Sequence, residues 1–191
     1  MRTPMLLAAS LAFLTAGCAG MTRSAPISAR AELRNGAGQP AGTATLTEVS
    51  GGVRVVVEAR GLPPGQKGVH IHEVGKCDPP QFTSAGGHFN PGKRQHGLLN
   101  PEGPHAGDLP NITIGGDGTG RLETTTDRIS LAAGPNSLLD ADGSAVVIHV
   151  APDDFKTDPT GNSGGRAACG VIVRETTRAE APQSPTRRGS Y

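Results

Sequence analysis

Tryptophan is absent from the 191-residue chain and tyrosine occurs once, so aromatic residues make up only 3% of it. That leaves few rings on which bases could stack. A net charge of +1 supplies no basic field for a phosphate backbone. Nucleic acid is therefore not an expected partner. Long apolar runs are also missing: hydrophobic residues are 35% of the chain, and the one apolar stretch, Met5 to Ala16, is short for a bilayer span. No segment carries the 3.6-residue period of a long amphipathic helix. Cysteine is scarce, with only Cys18, Cys77 and Cys169.

Glycine and proline are abundant, at 28 and 16 residues, which points to many turns and long loops. Between them lie short runs rich in Val, Ile and Thr: Ala31–Arg34, Thr43–Val49, Val53–Ala59, Gly68–Val74, Asn111–Ile114, Gly120–Thr125, Ala145–Val150 and Ala168–Arg174. Eight such runs in one domain predict an all-β, eight-stranded sandwich or barrel. Ser50-Gly51-Gly52 reads as a hairpin turn between the second and third, and Gly115–Gly118 as one between the fifth and sixth. Two long segments, Gly75–Pro110 and Ala151–Ala167, lack a strand pattern. Loops of that length inside a compact domain are usually functional.

The N-terminus reads as a targeting segment, with a positive residue at Arg2, an apolar stretch, and small residues at Ala16-Gly17-Cys18. Residues 14–18, Leu-Thr-Ala-Gly-Cys, resemble a bacterial lipoprotein signal with Thr15 where Leu is usual. Cys18 would then be the lipidated first residue and the sole attachment to a membrane. An ordinary cleaved secretory signal is the alternative, and either one exports the chain to the periplasm or cell envelope. The organisation expected is signal 1–17, tether 18–29, domain 30–174 and a disordered polar tail 175–191. If Cys18 carries lipid, Cys77 and Cys169 remain as a pair that an oxidising compartment would preserve.

All six histidines fall within the domain: His70, His72, His88, His96, His105 and His149. His70 and His72 sit two apart on one strand and so share a face. His88, His96, His105 and Asp108 span a single Gly/Pro-rich loop, with gaps of 8, 9 and 3. Three imidazoles and one carboxylate make a closed tetrahedral shell of the kind that holds structural Zn²⁺. A loop with little core of its own can take its ordering energy from such an ion.

Several of these segments resemble copper,zinc superoxide dismutases. Residues 68–73, GVHIHE, are similar to the family's first copper strand; 84–91, SAGGHFNP, to its bridging-histidine segment; 103–111, GPHAGDLPN, to its zinc segment; 146–149, VVIH, to its last copper strand; and 161–170, GNSGGRAACG, which contains Arg166 and Cys169, to its terminal signature. The resemblance implies a Greek-key sandwich and copper held by His70, His72, His88 and His149. Zinc would be held by His88, His96, His105 and Asp108, with His88 bridging the two ions. It makes Asp153 the carboxylate joining His70 to His96, Arg166 the anion-docking cation above copper, and Cys77–Cys169 a disulfide pinning the metal loop. The substrate implied is superoxide, converted to O₂ and hydrogen peroxide with His88 carrying a proton between the two half-reactions. A homodimer is admitted, without contacts that carry over. The 150–165 segment has few cations, chiefly Lys156, so Lys93 or Arg94 would have to substitute in steering. The alternatives are a non-enzymatic copper/zinc store or carrier of the same fold, and an adhesion module that would leave the metal motifs unexplained.

Overall fold

A computed structural model of the chain describes residues 26–175. It contains ten strands: β1 Ser28–Asn35, β2 Pro40–Val49, β3 Gly52–Ala59, β4 Gly65–Lys67, β5 Val69–His72, β6 Ile112–Ile114, β7 Gly120–Thr126, β8 Ala145–His149, β9 Arg166–Val171 and β10 Val173–Arg174. The one helical element among the described residues is a three-residue 3-10 turn, Thr83–Ala85. β4 and β5 form one chain run interrupted at Gly68, and β9 and β10 one run interrupted at Ile172, so the ten pieces are the eight predicted strands.

Pairing is antiparallel throughout and follows the order β5-β8-β9-β1-β2-β3-β7, with β10 beside β1 and β4 paired to β6. The neighbours that are not consecutive in sequence, β5/β8, β9/β1 and β3/β7, are the crossovers of a Greek key. The sheet curls, and β6 lies against β7. In β3, Val53, Val55 and Val57 alternate inward and are fully buried, each contributing about 1.5 kcal/mol or more. They pack with Leu33, Leu46 and Ile71 in the main core. The β2–β3 hairpin turns at Ser50-Gly51, as expected. Gly52 there has φ +132°, and a Cβ on it would sit 2.2 Å from the Thr126 carbonyl oxygen, so only glycine fits.

Several boundaries differ from the sequence expectation, among them the start of β2, at Pro40 rather than Thr43. β1 begins at Ser28, so Ser28 and the fully buried Ala29 belong to the barrel rather than to the tether. The predicted Gly68–Val74 strand starts three residues earlier and ends at His72. At Gly68 the chain leaves β6 and joins β8, with its N–H donating to Ala151 C=O and its C=O accepting from His149 N–H. The last strand begins at Arg166 rather than Ala168, which sets Arg166 opposite His149 in the ladder. The signal, Cys18 and the tail from residue 176 lie outside the described residues.

Candidate metal centre

β5 and β8 are buried and paired, and they deliver His70, His72 and His149 to one face of the barrel. The long loop after β5 returns His88 against them through an isolated bridge to His72. Each ring has one nitrogen committed. His70 Nε2 meets Asp153 Oδ2 at 2.8 Å. His72 Nδ1 donates to Gly86 C=O at 2.9 Å, and His149 Nδ1 donates to Gly164 C=O at 3.1 Å. His88 Nδ1 meets Asp108 Oδ1 at 3.0 Å. The remaining nitrogens, His70 Nδ1, His72 Nε2, His88 Nε2 and His149 Nε2, are buried without any hydrogen-bond partner. The four rings can each offer a ligand atom within 4.8 Å of the others. Burying an unpaired polar atom costs about 1–3 kcal/mol. Four such atoms converging on one point fit a metal ion that accepts imidazole nitrogens.

A second group lies on the other side of His88. Asp108 Oδ1 is 3.0 Å from His88 Nδ1, 3.1 Å from His96 Nδ1 and 3.4 Å from His105 Nδ1. His105 Nδ1 is 3.3 Å from His88 Nδ1. A tetrahedron with zinc–ligand bonds of about 2.0–2.1 Å has edges of roughly 3.3–3.4 Å, so these separations suit one Zn²⁺. Proximity alone also places His70 beside His88, His96 and Asp108. His70 Nε2, however, is held by Asp153, and its free Nδ1 belongs with the first group. His105 completes the second group instead. Asp108 is aimed by its other oxygen, Oδ2, which accepts the N–H groups of Gly97 at 2.8 Å and His105 at 3.0 Å.

Asp153 spans the two groups, with Oδ2 on His70 and Oδ1 on His96 Nε2 at 3.0 Å. Its main chain is clamped by Asn111, which accepts the Asp153 N–H and donates to the Asp153 C=O, both at 2.9 Å. Arg166 is partly buried. Its Nη2 donates to Gly86 C=O at 2.5 Å, and its Nη1 donates to Phe82 C=O. Gly86 C=O thus serves both Arg166 and His72. The Cys77–Cys169 disulfide spans 92 residues with a Cα–Cα distance of 5.7 Å. With Phe82, Ala85, Ala145 and Val147 it forms a second small core beneath the loop that carries those carbonyls. Closing a loop of that length is worth roughly 4–5 kcal/mol in the chain-entropy model.

Protonation follows from burial and partners. Burial holds His72 down to about 2, His149 to about 3 and His88 to about 4, so these rings are neutral and can offer lone pairs. His96 goes the other way: burial opposes its charge, but hydrogen bonds to Asp108 and Asp153 prevail and raise it to about 9. Both carboxylates are correspondingly held well below their usual range despite burial, chiefly by their histidine partners. An ion entering the second group would therefore displace a proton from His96.

A curled Greek-key β-barrel with two adjoining imidazole-rich nests defines a dinuclear metalloprotein. The copper/zinc superoxide dismutase family model matches residues 40–172. Among curated proteins, a Cu-Zn superoxide dismutase of Aquifex aeolicus is 51% identical over 144 residues, covering 74% of this chain and 85% of that one. One of Caulobacter vibrioides is 47% identical over 148 residues, covering 76% and 85%. Among solved structures, a superoxide dismutase-like protein from Bacillus subtilis matches with a TM-score of 0.72 and 41% identity, covering 75% of this chain and 97% of its own. The chain belongs to the copper/zinc superoxide dismutase family. It is an oxidoreductase of that class, with copper and zinc as its metals and superoxide as its substrate.

All six histidines, with Asp108, Asp153 and Arg166, meet at this centre. The cysteine pair expected from the resemblance is joined as a disulfide. Arg94, an expected steering cation, is engaged within the long loop after β5, where its Nη2 donates to Gly103 C=O at 2.8 Å. Lys93 and Lys156 are exposed. Sequence reasoning missed the acceptors Gly86, Gly164 and Phe82, because their function resides in backbone carbonyls that every residue possesses. It also gave no role to Asn111, although Asn111 sits at the end of the segment that carried the zinc resemblance.

Proposed function

We propose that His70, His72, His88 and His149 hold copper, that His88, His96, His105 and Asp108 hold zinc, and that the centre disproportionates superoxide by alternating one-electron steps. The observation that carries this reading is the His88 ring. Its Nε2 is one of four orphaned nitrogens in the first group, and its Nδ1 is a corner of the tetrahedral second group. Copper, when bound, supplies the one-electron couple.

The protein's residues perform the remaining work. Arg166 spends two of its five N–H donors on Phe82 and Gly86, leaving the others to dock the superoxide anion. His88 Nε2 carries one proton to the second superoxide, and water supplies the other, so two superoxides and two protons give one O₂ and one H₂O₂. Asp153 keeps His70 in the tautomer whose Nδ1 is free and ties it to His96. Replacement of Arg166 by Met is expected to lower kcat/KM for superoxide about 10–100-fold, the worth of a charged hydrogen bond, with copper and zinc contents unchanged. Metal analysis beside inhibition of superoxide-driven cytochrome c reduction measures this. Unchanged kcat/KM would remove Arg166 from docking.

We also infer export, with lipid on Cys18, supported by the 14–18 segment and by a disulfide suited to an oxidising compartment. The full chain should then fractionate with membranes, and Cys18→Ser should be released to the soluble fraction. A full chain found soluble would contradict the anchor.

A further inference from the structure

Each ring of the zinc group has a second nitrogen to accommodate. His88 Nε2 belongs to the copper group, and His96 Nε2 is held by Asp153. His105 Nε2 makes no hydrogen bond among the described residues, yet one carboxylate faces it: Asp158 Oδ1 at 3.7 Å. The same Oδ1 accepts the main-chain N–H of His96 at 2.6 Å, from 62 residues away in sequence. One oxygen of the 150–165 loop thus reaches two of the zinc-group residues on the other loop.

We propose that Asp158 is a positioning residue of the zinc half-site. It fixes the main chain at His96. By its charge it also favours the His105 tautomer that carries hydrogen on Nε2 and leaves Nδ1 free. When an ion draws electron density from Nδ1, the Nε2–H becomes more positive, and the nearby carboxylate stabilises it more. The neighbouring Asp154 does something different. It accepts from Lys156 N–H, Thr157 and Asn162, all within its own loop, and touches no metal-group residue. Two acids four residues apart therefore divide into a loop brace and a strut between loops. The proposal rests on the ligand assignment above.

The test is zinc release from copper-free, zinc-loaded protein mixed with excess chromogenic chelator. Asp158→Asn keeps an oxygen for the His96 N–H and removes only the charge. The Asp158 side chain is 48% exposed, so the effect should fall at or below the low end of outer-sphere losses, about 3–10-fold faster release. Asp158→Ala, which removes both functions, should release faster still, and Asp154→Asn should stay within about twofold of the parent. Release from Asp158→Asn at the parental rate, or equally fast release from Asp154→Asn, would overturn the proposal. His105→Ala separates the two levels of inference. If it loses its zinc while Asp158→Asn behaves as the parent, Asp158 alone is misassigned. If it retains a full zinc equivalent, the ligand assignment itself fails.

Discussion

Replacing His149 with Ala is expected to abolish superoxide dismutation while leaving one equivalent of zinc in place. His149 ends β8, whose five residues are all buried between β5 and β9. Its Nδ1 is anchored on Gly164 C=O and its Nε2 points into the copper group. It makes no contact with Asp108, His96 or His105 within hydrogen-bonding distance. On the proposed assignment, the substitution therefore removes one of four copper donors and leaves all four zinc donors intact. A buried large-to-small change costs about 2–4 kcal/mol. The disulfide and the zinc loop should tolerate that, so a folded, zinc-bound, inactive protein is the anticipated product. Activity near the parental level would refute the copper assignment. Loss of zinc in parallel with activity would show that the two nests do not separate at His88.

Gly161→Ala should have the second largest effect, although Gly161 binds no metal. Its φ is +60°, and a Cβ there would fall 1.8 Å from Asp153 Oδ1 and 2.6 Å from His96 Nε2. The left-handed conformation alone costs an alanine roughly 1–2 kcal/mol. The overlap is worse, because the atoms in the way are the two partners of the hydrogen bond that links the copper and zinc halves. Either Asp153 leaves His96 or the 150–165 loop lifts from the barrel. Outer-sphere disruption of this kind costs about 10–100-fold in metal affinity. Competition with a zinc chelator and a thermal melt of the loaded protein would read it. Parental zinc affinity together with an unchanged Tm would show that the loop absorbs the extra methyl group and does not hold Asp153 tightly.

The strands were legible where one face is buried and the other solvated. Val53, Val55 and Val57 alternate with Arg54, Val56 and Glu58, and the period of two marks β3 directly. β8 carries no alternation, yet its short Val/Ile run between loop-like flanks still marked a strand. The ladder switch at Gly68 was not legible, because it depends on which partner each half of the run meets. The early start of β9 was hidden for the same reason: Arg166 and Ala167 are half-buried, and only pairing with β8 makes them strand.

At the site, side chains with metal-binding chemistry announced themselves by type and spacing. The carbonyls that orient them did not. His72 and Arg166 converge on Gly86 C=O because of the fold, and nothing in the letters around residue 86 marks that oxygen. In the sequence Asp158 is only one acid among three in its loop, beside Asp153 and Asp154. Its reach across to His96 and His105 appears once the two loops are packed together.

The most direct test of the central claim is a crystal structure of fully metallated protein, with anomalous differences collected at the copper and zinc edges. Two separate peaks are predicted, copper against His88 Nε2 and zinc against His88 Nδ1, the zinc peak also touching His105 rather than His70. A single shared peak, or a copper peak away from the four orphaned nitrogens, would contradict the account.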